Sequence, residues 1–395
     1  MDISNYQNTT LSSTFNPLRI SSHSPIFAHF SKNSENFVVR EVPLYEASGD
    51  GEHMLICAQK KGLSTKEMLS IFSAFCGVKV RDIGFAGLKD KEGLTSQFIT
   101  IPKKFCQSLE NFSHENIKIL SAKAHNNKLR VGHLKANSFF IKLKKVSKTD
   151  AKKLENACKN AEFFGVPNYF GFQRFGKFGD NAAQGYELLK DLKNGKKSRF
   201  NPKMSNFLIS AFQSELFNRL LSLRVEISKF CETFSPAELR EIFNAFKLNF
   251  KENDLEFFKN LKKQENFFKL FVGDVLGHYP RGAVFSCDDL NAEIIAFNEK
   301  RKSPQGALFG KKLFASSGVV KSIEDIIISP FADVLELMNG SRRPFIIWPQ
   351  NLEFKYDEQT AQFSLSFELI KGAYATNFLR EILGKDDIFD FFEDE

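Results

Sequence analysis

Gly84-Phe85-Ala86-Gly87-Leu88-Lys89-Asp90-Lys91-Glu92-Gly93, followed closely by Ser96-Gln97-Phe98-Ile99-Thr100-Ile101, sets the reading of the whole chain. The first stretch is rich in glycine and charge. The second is rich in β-branched and aromatic residues and reads as a strand. Gly84 and Gly87 free the backbone to approach a ligand, and Lys89 and Lys91 favour the carboxylate form of the aspartate between them. A loop aspartate delivered between two strands can act as a nucleophile or as a base. The same residues also make an ordinary exposed turn, with Glu92 simply solvated.

On the amino-terminal side of this loop, Phe37-Val38-Val39-Arg40-Glu41-Val42 and Met54-Leu55-Ile56-Cys57-Ala58 read as strands joined through Ser48-Gly49-Asp50-Gly51. Ser64-Thr65-Lys66-Glu67 is a capping box, and the apolar spacing from Met68 to Phe75 predicts a helix that stops at Gly77. Beyond it, Leu129-Arg130-Val131 and Phe139-Phe140-Ile141-Lys142-Leu143 are expected as strands, and Ala151 to Phe164 as a helix closed by Gly165 and Pro167. From about Phe200 to Gly340 the texture turns helical, with one long amphipathic run over Phe207 to Phe230 and a loop expected over Arg301 to Phe314. Strand character returns after Pro344, most clearly at Phe363-Ser364-Leu365-Ser366-Phe367-Glu368-Leu369. This alternation predicts an α+β body interrupted by a helix-rich insert. The expected division is a loosely held arm over residues 1–30, a discontinuous body over 31–195 and 341–395, and an insert over 196–340.

Composition narrows the class. Of the 395 residues, 42% are hydrophobic and 26% charged, as in a globular protein. No apolar stretch approaches the roughly 18 residues of a membrane span. The start carries no basic segment followed by an apolar core, so a cytoplasmic protein with no membrane association is expected. Six scattered cysteines show no Cys-x-x-Cys pair, which speaks for reduced thiols and against a metal. The formal charge is +8 with a pI near 9.0. Lys135 to Lys159 holds eight lysines against Asp150 and Glu155, and Lys193, Lys196, Lys197, Arg199 and Lys203 form a second basic run. Such runs fit a polyanionic partner or a solvated face, and the last ten residues are acidic. The 45 phenylalanines, against one Trp and seven Tyr, mostly serve the core.

A second stretch, Gly165-Val166-Pro167-Asn168-Tyr169-Phe170-Gly171-Phe172-Gln173-Arg174-Phe175-Gly176, interleaves aromatics with Asn, Gln and Arg. Aromatics can stack on an unstacked base, amides can read its edge, and Arg can meet phosphate or a carboxylate. A turn whose aromatics plug the core is the alternative.

Together these stretches resemble the tRNA pseudouridine synthase D family. Ala86-Gly87-x-Lys89-Asp90-Lys91 with Thr95 and Gln97 is similar to its catalytic-aspartate motif, and Asn168 to Gly176 to its second signature. Phe37-x-Val39-x-Glu41, Gly51-Glu52-His53, Ser210-Ala211-Phe212-Gln213-Ser214-x-x-Phe217-Asn218 and Gly372-Ala373-Tyr374-Ala375-Thr376-x-x-Leu379-Arg380-Glu381 follow in the family's order. Asn36, where the family has an acidic residue, departs from the pattern. Ser303 to Gly310 matches the family's Gly-Pro loop only in part.

The resemblance implies a pseudouridine-synthase-like catalytic domain with a largely antiparallel sheet, interrupted by a helix-rich α/β insertion domain. It implies an isomerase that needs no cofactor or metal and converts a uridine of tRNA, at position 13, to its C-glycoside isomer. Asp90 would be the catalytic aspartate, acting on a flipped-out uridine. Phe170 would stack on the base and Asn168 would hydrogen-bond near it. Arg174 and Arg380 are the candidates for a basic partner of Asp90. Lys89, adjacent to Asp90 and facing the other way, is expected to meet phosphate. A monomer is expected. The competing reading is a non-catalytic tRNA-binding chaperone.

Overall fold

The computed structural model describes residues 4–8, 11, 16–176 and 178–385. The acidic run over the last ten residues lies outside the described residues. The chain divides into two compact units. A sheet unit is built from Pro25–Glu162 and Pro349–Ala375. A helical unit is built from the segment ending at Ser24, from Phe163–Trp348, and from the segment that begins at Thr376.

In the sheet unit the strands lie in the order Gln350–Asp357, Gln362–Ile370, Leu134–Leu143, Phe37–Pro43, Leu94–Pro102, His53–Lys61 and Ile117–His125. Every neighbouring pair is antiparallel except Phe37–Pro43 with Leu94–Pro102, where Val38, Val39 and Arg40 run parallel to Leu94, Thr95 and Ser96. Along that same edge of Leu94–Pro102, Gly84 and Phe85 pair with Thr100 and Ile99. One strand edge therefore serves two partners in turn, and the Asp90 loop fills the interval between them. Glycine is required at both ends of the loop. A Cβ at Gly84 would sit 2.3 Å from Thr100 Oγ1, and at Gly93 (φ +76°) 2.6 Å from the Phe37 carbonyl oxygen.

The helix Thr65–Cys76 forms as the capping box predicts. Ser64 accepts from the Glu67 amide, Glu67 reaches back to the Ser64 amide, and Gly77 closes the helix in the left-handed region. Its Met68, Leu69 and Phe72 bury against Ile56, Ala58, Ile99, Ile101 and Ile117 of the sheet. Leu129–Val131, expected as a strand, is a turn. The Leu129 amide donates to Thr100 Oγ1 and the Gly132 amide to the Ala86 carbonyl, so this segment supports the Asp90 loop instead of extending the sheet.

In the helical unit, Pro202–Thr233 is buried along most of its length and is ringed by shorter helices. A four-stranded sheet runs Asn339–Pro344, Lys302–Gly310, Val275–His278, Val284–Ser286. Lys302–Gly310 is thus a strand where the composition predicted a loop. Its glycines are there for close approach: a Cβ at Gly306 would lie 2.2 Å from Phe345 Cε1, and at Gly310 2.3 Å from the Gly340 amide nitrogen. Phenylalanines fill this core in edge-on contacts, as between Phe243 and Phe258 at 5.1 Å. Described residues of the amino-terminal stretch, expected to be loosely held, make specific contacts. Tyr6 and Leu11 are buried, the Tyr6 hydroxyl donates to Glu226, and the Leu18 amide donates to Ser222.

Candidate active site

The Asp90 loop is anchored from several sides within its unit. The Lys89 amide donates to Thr65 Oγ1 at 2.8 Å, and Thr65 Oγ1 donates to Gln97 Oε1 at 2.9 Å. The buried Lys60 ammonium donates to the Asp90 carbonyl at 2.6 Å. Lys89 turns its side chain inward, where its ammonium lies 3.1 Å from Glu41 Oε2 and 2.7 Å from Asn137 Oδ1. Burial raises the Glu41 pKa above the ordinary carboxylate value, and the Lys89 charge opposes that shift. Asp90 itself is exposed. Within its unit, among the described residues, its carboxylate has no hydrogen-bond or ion-pair partner. A fixed backbone thus presents one exposed carboxylate.

The expectation that Lys89 meets phosphate is corrected by this geometry. Its side chain is only 6% exposed and its charge is held by Glu41, so it acts as a buried structural cation.

The second stretch belongs to the helical unit. Val166–Pro167 pairs antiparallel with Ile346–Ile347, and the Asn168 amide continues the ladder by donating to the Phe345 carbonyl at 2.8 Å. Gly165, at φ +79°, makes the entry possible, because a Cβ there would meet Ile346 at 2.4 Å. Arg343 is the centre of the arrangement. It donates to Asn168 Oδ1 at 2.7 Å and to the Asn168 carbonyl at 3.2 Å, and its guanidinium lies 4.0 Å from the Phe170 ring centroid. Asn168 Nδ2 donates to the Pro344 carbonyl at 3.0 Å, which orients the amide. Asn218 fixes the Phe170 backbone in both directions, accepting from its amide at 2.8 Å and donating to its carbonyl at 3.1 Å. Phe217 meets the Phe170 ring edge-on at 5.5 Å.

Arg174 donates to Ser214 Oγ at 3.2 Å and Ser210 Oγ at 2.5 Å, and lies 5.8 Å from the Phe170 ring. Asn168, Phe170 and Arg174 are therefore brought together. Arg380 stands elsewhere in the same unit: it is buried, donates to the Pro17 carbonyl and Asn16 Oδ1, and faces the Tyr169 ring at 6.0 Å. Asp90 and Lys89 belong to the sheet unit.

Sequence reasoning gave no role to Arg343, Asn218, Lys60 or Glu41. Two of them lay inside quoted motifs, Glu41 in Phe37-x-Val39-x-Glu41 and Asn218 at the end of the Ser210 stretch. Arg343 carried no local signal, because its partners are far away in sequence. No group of three or more His, Cys, Asp or Glu side chains among the described residues is placed to hold a metal. No helix among them is long and apolar enough to cross a membrane.

The profile of the tRNA pseudouridine synthase D (TruD) family matches residues 17–194 and 257–382. A tRNA pseudouridine synthase D of Campylobacter jejuni subsp. jejuni serotype O:6 is 52% identical over 376 residues, covering 94% of this chain and 97% of the relative. One from Helicobacter acinonychis is 46% identical over 368 residues, covering 91% and 94%. A solved structure from Methanosarcina mazei, assigned to tRNA pseudouridine synthase D, superposes with a TM-score of 0.62 at 18% identity, covering 95% of this chain and 98% of that one. The fold is of the same kind, α+β with a largely antiparallel sheet. The chain belongs to the tRNA pseudouridine synthase D family and is an isomerase of that class.

Proposed function

We propose that this enzyme converts a uridine of tRNA, at position 13, to pseudouridine with Asp90 as the catalytic aspartate. The observation that carries the reading is the exposed Asp90 carboxylate on a backbone clamped by Thr65, Lys60 and the Lys89–Glu41 pair. The reaction breaks a glycosidic bond, turns the base and rejoins it to the ribose through carbon 5. Positive charge developing at the anomeric carbon is stabilised by a nearby carboxylate, which acts there as nucleophile or takes a proton from the sugar. A stacked uridine has to leave its stack first, at a cost of a few kcal/mol. In this reading Phe170 receives the extruded base, Arg343 and Asn218 hold the ring for it, and Asn168 hydrogen-bonds near it.

The position in tRNA rests on the family motifs. The insert over 196–340 and the body over 31–195 and 341–395 are a division proposed from the family motifs, and it differs from the two compact units, which place 163–195 in the helical unit. Asp90→Asn is expected to abolish pseudouridine formation and leave tRNA affinity intact. Primer extension on carbodiimide-treated tRNA reads the product site by site. A fully active variant sinks the assignment, and a wild type that binds tRNA without modifying it returns the chaperone reading.

A further inference from the structure

Lys60 breaks a row. Ile56, Ala58 and Lys60 stand on one face of His53–Lys61, opposite Ile99, Gln97 and Thr95 of the neighbouring strand. The first two bury beneath the helix Thr65–Cys76 with Met68, Leu69 and Phe72. The third position is equally inaccessible, at 1% exposure, yet it holds an ammonium. Its hydrogen-bond partners among the described residues are two main-chain carbonyls, Leu63 at 2.6 Å and Asp90 at 2.6 Å. A buried charge bonded only to carbonyls, with no carboxylate in hydrogen-bond contact, is a poor stabiliser, since desolvation is only partly offset. Stability therefore gives no reason for a lysine here. Geometry does, because the two carbonyls belong to the start of the helix and to the Asp90 peptide.

We propose that Lys60 is a positioning residue for the reaction, tying the Asp90 carbonyl to the Leu63 carbonyl so that the Asp90 backbone stays fixed while its side chain reacts. Thr65 holds the chain just before it through the Lys89 amide, so the segment is gripped on both sides of the Lys89–Asp90 peptide. The proposal rests on Asp90 being the catalytic group. It also predicts a pH dependence. Burial pushes the Lys60 pKa down to about 8; Asp90, Glu92 and Glu67 pull it up, and Lys89 pushes it down. Above about 8 the amine becomes neutral; it keeps one N–H for each carbonyl but loses its charge, so the clamp is weakened as pH rises through that value.

The test compares wild type, Lys60→Met and Lys60→Gln as full chains on tRNA, measuring kcat, KM and tRNA affinity against pH. Loss of the clamp is expected to lower kcat on the order of 10- to 100-fold, the scale of a misplaced reacting group, with KM and affinity unchanged. Wild-type kcat should decline through about pH 8, and both variants should lack that limb. Full kcat in Lys60→Met beside an inactive Asp90→Asn overturns the clamp and leaves the catalytic assignment standing. Inactivity of wild type at every pH overturns the assignment itself. Where Lys60→Met impairs folding, thermal unfolding separates that loss from catalysis, and wild-type kcat in a folded Lys60→Gln overturns the clamp.

Discussion

Replacing Lys89 by methionine separates its two readings, phosphate ligand or buried structural cation. The substitution keeps the volume and removes the ammonium that lies 3.1 Å from Glu41, whose side chain is 1% exposed. At an effective dielectric of about 20, unit charges about 4 Å apart attract by about 4 kcal/mol. Deleting one member of a buried pair costs about 3–5 kcal/mol, because the survivor is left uncompensated. Glu41 limits that loss by taking up a proton. Its pKa is already raised above 4.5 by burial and rises further without Lys89. A raised carboxyl pKa contributes stability that is present below the unfolded value and lost as pH increases. The penalty of Lys89→Met should therefore be small near pH 4.5 and grow toward neutrality. Lys89→Met with Glu41→Leu should recover most of it. Hydrogen exchange resolved to peptides of Leu94–Pro102 reads the stability of the sheet unit directly. In parallel, the slope of log tRNA affinity against log salt should be unchanged, whereas loss of a phosphate contact lowers it by about one. A variant with undiminished exchange protection and a shallower salt slope refutes the buried-pair reading.

Two further outcomes follow from the helical unit. Phe170→Ala should lower kcat/KM for tRNA by roughly 5- to 150-fold, the equivalent of about 1–3 kcal/mol of base stacking, while Phe170→Tyr stays near wild type; equal activity of all three removes Phe170 from the site. Arg224→Met leaves Asp274 buried without the guanidinium that now bonds its carboxylate oxygens at 2.6 and 2.9 Å, and should cost about 3–5 kcal/mol. The chain's only tryptophan, Trp348, is buried in the same unit, so its fluorescence in urea measures the loss, and Arg224→Met with Asp274→Leu should be milder than the single change.

Features with local causes were legible in the sequence. The capping box at Ser64 and Glu67 fixed one helix start, and the alternation from Phe363 to Leu369 matches the burial pattern residue by residue. Glycines were harder. At Gly165 and Gly77 they mark helix ends, as read, but at Gly306 and Gly310 they mark close approach inside a strand, and composition does not distinguish these uses. The strand Ile117–His125 went unread because five of its nine residues are exposed and its apolar signal is weak. At the site, Asp90 and Phe170 stood out through motif context. The inward turn of Lys89 did not, because alternation along an extended segment says only that Lys89 faces away from Asp90. It does not say whether the opposite side is solvent or the Glu41 pocket. Arg343 belongs to the same limit, since a strand distant in sequence delivers it to Asn168.

The sheet behind Asp90 also dictates a timetable. Leu134–Leu143 takes one neighbour from Phe37–Pro43 and the other from Gln362–Ile370, which is made long after both. Until that hairpin arrives, a growing chain carries an unpaired strand edge, a ready template for unwanted association. The single parallel pairing that frames the loop has to wait for an entire crossover between Pro43 and Leu94 to close. A chain that lacks Gln362–Ile370 therefore leaves this sheet open along Leu134–Leu143.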